Sequence, residues 1–104
     1  MFDDILDSDL RSKEDFLLDI AVESKDRGIP QASRIKAIFA LADKTAKSLA
    51  EAASLNVADL SKVIAGKRMT PHVQEAIVNY LGVPGTVLFD SYKGKLTIFD
   101  QIVD

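Results

Sequence analysis

Apolar positions along this chain recur mostly at i, i+3 and i+4, the spacing of helices that bury one face. Phe16, Leu17, Ile20 and Ala21 form one such face. Ser12 and Asp15 have the spacing of a capping box before it, and Gly28-Ile29-Pro30 stops it, which predicts a helix over about 13–27. Ile35, Ile38, Phe39 and Ala42 predict a second helix over about 31–42. Leu49, Ala50 and Ala53, then Leu60, Val63 and Ile64 after a break, predict two short helices joined by a tight turn. Thr45 is a natural N-cap for the first of these and Asn56 for the second, which runs over about 57–65 and ends at Gly66; Leu55 plugs the angle between them. Thr70 as cap, Pro71 at the first helical position, inward-facing Ala76, Ile77, Tyr80 and Leu81, and a stop at Gly82 predict another helix. Leu88-Phe89-Asp90 and Leu96-Thr97-Ile98-Phe99, separated by Ser91 to Lys95, read as a short hairpin.

Two short helices meeting at a steep angle, with the second offering its N-terminal face, suit insertion into a DNA major groove. The segment from Leu49 to Arg68 resembles the lambda-repressor-like (Cro/C1-type) helix-turn-helix proteins, with Leu49, Ala50, Glu51, Leu60, Ser61, Gly66, Lys67 and Arg68 at matching positions and no insertion. The likeness runs from about Ser33 to Phe89. In length and in the turn Leu81-Gly82-Val83-Pro84 the chain is also similar to the Ner-like phage regulators. The resemblance implies a short helix over 85–89 and an all-α bundle of about five helices, to which the pattern adds an N-terminal helix and a short C-terminal hairpin or strand. It further implies a sequence-specific transcriptional regulator of phage or prophage repressor type, acting on double-stranded operator DNA as a homodimer.

Two positions depart from the family. Its turn glycine is Ser54 here, so a residue with a Cβ stands where positive φ is usual, at a cost of about 1 kcal/mol. The positions that read bases in the family correspond to Val57, Ala58, Asp59 and Lys62. Val57 and Ala58 can touch only a thymine methyl, Asp59 can accept from a cytosine amino group, and Lys62 can donate to guanine. The remaining candidates for DNA contact are Lys67 and Arg68 just past the recognition helix, Ser61 and Asn56 on or beside it, and Thr45, Lys47 and Ser48 at the start of the preceding helix. Free amides at a helix N-terminus can meet a phosphate. Capping alone accounts equally well for Thr45; Lys67 and Arg68 are the better phosphate candidates, with a solvated loop as the alternative.

With 104 residues, 47% of them hydrophobic, the chain is expected to form one bundle of five or six helices, divided into an acidic extension over 1–30, a DNA-binding unit over 31–89 and a tail over 90–104. Net charge is −3, an odd value for a DNA binder until it is divided along the chain. Residues 1–28 hold nine acidic and four basic side chains, residues 29–82 four acidic and seven basic, and residues 83–104 three acidic and two basic. The helix-turn-helix block is thus the positive one, as phosphate contact requires, although such an excess is also ordinary surface. The acidic arm, with Asp3, Asp4, Asp7 and Asp9 among Phe2, Ile5, Leu6 and Leu10, should lie off the DNA and is a candidate for binding a partner protein.

Leu96, Ile98, Phe99, Ile102 and Val103 are many apolar groups for a chain end, so they either cover the domain's own core or join two subunits. The absence of cysteine removes disulfides and thiolate metal sites. Short apolar runs and the lack of a signal-peptide pattern lead us to expect a cytoplasmic protein with no membrane contact. No glycine-rich phosphate loop, no Ser/His/Asp set and no metal-spaced cluster occurs, and His72, the lone histidine, has no ligand company. The expectation is a non-enzyme without cofactors or metals. An antitoxin-like regulator, or an interaction module that has lost DNA binding, remain as alternatives.

Overall fold

A computed structural model describes residues 13–95, which form six α-helices, with no strand among the described residues. They are α1 (Lys13–Asp26), α2 (Gln31–Leu41), α3 (Ala46–Ala53), α4 (Val57–Ile64), α5 (Pro71–Leu81) and α6 (Gly85–Leu88). The described part of the chain is therefore all-α. Ser12 of the expected capping pair, the acidic arm before it and the apolar tail from Leu96 onward lie outside the described residues, as does the second arm of the expected hairpin.

Helix ends fall where local chemistry sets them. Gly28, Gly66 and Gly82 all adopt the left-handed conformation expected of a helix-ending residue. Thr45 caps α3 and Asn56 caps α4 through their side chains. Thr70 holds the N-cap position of α5, but its hydroxyl makes no capping bond. The amide of Val73, which such a cap would take, is bonded instead to the Thr70 carbonyl at 3.1 Å.

One apolar core joins all six helices. α1 packs on α2 and α6, α2 on α4, and α3 on α4 and α5. Leu17, Ile35, Ile38, Leu49, Leu60, Ile77 and Phe89 are among its fully buried side chains. Two expected faces are rotated from their predicted positions. On α1, Leu17 and Ala21 are buried while Phe16 is 46% exposed. On α5, Val73, Gln74 and Val78 join Ile77 and Leu81 in the interior, leaving Ala76 and Tyr80 at its edge.

The expected first hairpin arm is not a strand. Leu88 closes α6, and Phe89 continues in extended backbone, with its side chain buried and its ring stacked on Tyr92 at 6.0 Å between centroids. An apolar pair flanked by polar residues reads as a half-buried strand. Here the same pair anchors a strap, residues 89–93, that three buried polar side chains tie to the bundle.

Gln31 donates to the Val63 and Ile64 carbonyls, each at 3.1 Å, and accepts from the Asp90 amide at 2.8 Å. Arg34, only 3% exposed, donates to the Ile29 and Leu88 carbonyls and to Asp90 Oδ1 at 2.7, 3.0 and 2.7 Å. Gln74 donates to the Ser91 carbonyl at 3.0 Å and accepts from the Lys93 amide at 2.7 Å.

Replacing Gln31 with Ala removes its bonds to two carbonyls and one amide while water access to them stays poor. Gln31→Ala should lower unfolding free energy by about 2 to 3 kcal/mol in urea titration. Asp90→Asn, at a carboxylate that is 66% exposed, should cost about 1 kcal/mol or less. Equal losses in the two variants would mean that the strap is held by its charge pair rather than by Gln31.

Candidate functional site

α3 and α4 are eight residues each, too short to persist alone, so their ends and buried faces must hold them. At the front of α3, Thr45 Oγ1 accepts from the Ser48 amide at 3.0 Å and Ser48 Oγ accepts from the Thr45 amide at 3.1 Å, a reciprocal capping box. The Ser48 hydroxyl also donates to the Thr45 carbonyl at 2.8 Å and lies 2.8 Å from the Tyr80 hydroxyl. The Ser48 hydroxyl is therefore committed to the fold. What remains for an anion at this end are the exposed Thr45 O–H, the amides of Ala46 and Lys47, at positions that have no intrahelical acceptor, and the exposed Lys47 side chain.

The turn between the helices is set by Ser54, whose φ of 56° and ψ of 43° are left-handed, as its place in the turn predicts. The Leu55 amide closes the turn on the Ala50 carbonyl at 2.8 Å, and the Leu55 side chain packs against the core. Asn56 Oδ1 accepts from the Ala58 amide at 2.8 Å and the Asp59 amide at 3.4 Å, as expected of the cap.

α4 is amphipathic in the plainest way. Leu60, Val63 and Ile64 are buried, while Val57, Ala58, Ser61 and Lys62 are exposed, Val57 at 48%. The outer face thus offers methyl groups, one hydroxyl and one ammonium. Asp59 is half-buried and not free to act alone, because Arg68 Nη1 donates to its carboxylate at 3.0 Å. That pair was not foreseen. Its partners stand nine residues apart and meet because Gly66, at φ +82°, turns the chain back so that the Lys67 amide bonds the Lys62 carbonyl at 2.9 Å. Both side chains are 51% exposed, so the pair is worth about 1 kcal/mol or less and can open for a competing anion.

Lys62 and Lys67 also meet in a feature that sequence reasoning missed. An open groove of about 710 Å³ lies between the C-terminal half of α2, the start of α3 and the C-terminal half of α4. Phe39, Ala40, Ala46, Ile64 and Ala65 supply its apolar surface. Lys36, Lys44, Lys62 and Lys67 line it against one acid, Asp43. Lys44 is held in place, donating to the Tyr80 carbonyl at 2.6 Å with its ammonium 4.6 Å from the centre of the Tyr80 ring. Lys36, Lys62 and Lys67 make no ion pair among the described residues. The available signal was Lys36 and Ala40 on one stripe of α2; Lys44 joins them only after Asp43, at φ 59°, has turned the chain.

Of the candidate residues, the structure therefore brings Lys62, Ser61, Lys67 and Thr45 to one groove, and places Val57 and Ala58 on the exposed start of α4. Among the described residues no group of three metal-ligating side chains occurs, and no helix is long and apolar enough to cross a membrane. His72 is exposed. No family model, curated protein or solved structure matches this chain.

Because Ser54 occupies a conformation that costs a residue with a Cβ about 1 kcal/mol, Ser54→Gly should raise unfolding free energy by about 0.5 to 1 kcal/mol. Asn56→Ala should lower it by about 1 kcal/mol. Urea titration of both variants checks the turn; a destabilised Ser54→Gly would show that the serine makes contacts worth more than its strain.

Proposed function

We propose that the chain is a DNA-binding regulator of the lambda-repressor-like helix-turn-helix kind, in which α3 and α4 form the motif and α4 is the recognition helix. The observation that carries this reading is α4 itself: an Asn56-capped, two-turn helix with an exposed outer face, set off from α3 by a left-handed turn and flanked by Lys62, Lys67 and Arg68. A helix of that size fits a major groove with its N-terminal residues toward the bases.

In this reading Val57 and Ala58 meet thymine methyls and Lys62 meets guanine. Lys67, Arg68 and the first amides of α3 hold phosphates and fix the register. Arg68 reaches a phosphate by leaving Asp59, a cheap exchange for an exposed pair. Polar readout is sparse, so sequence preference would rest on methyl contacts and on DNA shape as much as on hydrogen bonds.

A single unit of this size makes few contacts, and two copies related by a two-fold axis would place their recognition helices about 34 Å apart, one turn of DNA. The protein would then work in the cytoplasm, where its operator is. The apolar surface of the lysine groove favours a second reading, an interaction module that takes a protein partner there.

Binding of selected DNA fragments tests the first reading. Lys62→Ala should weaken operator binding by about 1 to 3 kcal/mol and relax sequence preference, whereas Lys67→Ala should weaken all sequences alike and reduce the salt slope by about one. No binding to any DNA at low salt by the folded wild type would overturn the reading in favour of the interaction module.

A further inference from the structure

The lysine groove asks for a ligand with two properties at once. Its lining carries four lysines against one aspartate, so it attracts anionic groups; the methyl groups of Ala32, Ala40, Ala46 and Ala65, laid over the buried Phe39 and Ile64, gain from apolar side chains. A bare phosphate backbone satisfies only the first. A segment that interleaves carboxylates with large apolar residues satisfies both.

This chain contains such a segment. Residues 1–10 hold Asp3, Asp4, Asp7 and Asp9 with no basic side chain, interleaved with Phe2, Ile5, Leu6 and Leu10. Phe2, Ile5 and Leu6 have the i, i+3, i+4 spacing of one helical stripe, and Asp9, at i+7, falls on the same stripe. The segment is also tethered close by. It leads into α1, which packs on α2, and α2 is one wall of the groove. Six residues separate Leu6 from Lys13, enough to span about 20 Å when extended. A tether of that length holds the segment at an effective concentration of about a millimolar, so even a weak contact would be occupied.

We propose that residues 1–10 dock in the groove of their own chain, with Phe2, Ile5 and Leu6 on its apolar surface and the aspartates among Lys36, Lys44, Lys62 and Lys67. The acidic arm is thereby an internal competitor for Lys62 and Lys67. That consequence rests on the DNA-binding reading above; the docking itself does not.

The native chain has no cysteine, so a nitroxide can be attached to the full-length Ser8→Cys variant alone. Amide NMR signals of Lys36, Ala40, Ala46 and Ala65 should broaden, and more strongly than those of Glu51 and Ala52, which do not line the groove. Raising sodium chloride to 0.5 M should restore the signals, as should exchanging the four aspartates for asparagine, changes outside the helical core. Unlabelled nitroxide protein mixed with isotope-labelled wild type separates the two geometries, since broadening in the mixture places the arm of one copy in the groove of another. That result, or undisturbed groove signals in the single chain, overturns the proposal.

The four-asparagine variant should also bind DNA at least fivefold more tightly than wild type at low salt. Groove broadening with unchanged DNA affinity would leave docking standing and remove the competition. Groove broadening with no DNA binding by either protein would remove the DNA-binding reading and leave docking standing.

Discussion

Gln31 occupies the point on which the exposed geometry of this protein depends. The last carbonyls of any helix lack intrahelical donors, and α4 is too short to leave them unsatisfied in a buried setting. The Gln31 amide group bonds two of them, while its oxygen holds the strap through the Asp90 amide. One side chain on α2 therefore fixes the C-terminal end of α4 and the course of residues 89–93 together. Gly66 lies beside it, where an added Cβ would stand in ordinary contact, 3.4 Å from Gln31 Nε2. The loop that delivers Lys67 and Arg68 thus starts next to this bond. Arg34 repeats the device beside it, satisfying the carbonyls of Ile29 and Leu88 with one buried guanidinium.

The opposite end of α4 is held by weaker means. Its cap, Asn56, and its turn residue, Ser54, are both exposed, and the serine works against its own conformational preference. The turn persists because the Leu55 amide bonds the Ala50 carbonyl and the Leu55 side chain packs on the core. Strain of about 1 kcal/mol is roughly what a good N-cap returns. The outcome is a helix pinned firmly at its C-terminal end and adjustable at its N-terminal end. The adjustable end is the one that carries Val57 and Ala58.

Most helices were legible because each is announced twice, by its apolar period and by its stop. Gly28, Gly66 and Gly82 could be read as stops from sequence alone because left-handed closures favour glycine so strongly. Asn56 and Thr45 could be read as caps for a comparable reason. Polar residues that are buried escaped, since nothing in the letters Gln31, Arg34 or Gln74 separates a satisfied interior group from a solvated one. The strap escaped with them, as it is defined by those three partners and not by a period of its own. The rotation of α1 that exposes Phe16 escaped too, because Phe16-Leu17 and Leu17-Leu18 fit a helical stripe equally well. The candidate site was half legible: the outer face of α4 follows from its inner one, but the groove needs Lys36 and Lys44 from outside the two-helix segment, and no motif links them to it.

Charge explains why an acidic protein can present a basic surface without contradiction. At physiological salt, exposed charges separated by more than about 8 Å are largely screened, so a net value of −3 says little about any one face. Lys62 and Lys67 respond to their near surroundings, and the groove they line holds two further lysines, Lys36 and Lys44, and one carboxylate, Asp43. Four lysines around one aspartate repel one another, and among the described residues three of them have no ion-pair partner. Stability alone gives no reason to assemble such a cluster. A ligand with negative charge relieves the repulsion when it binds, and the relief adds to its affinity. The repulsion built into the folded state is thus part of what makes the groove a binding surface, whichever anion comes to occupy it.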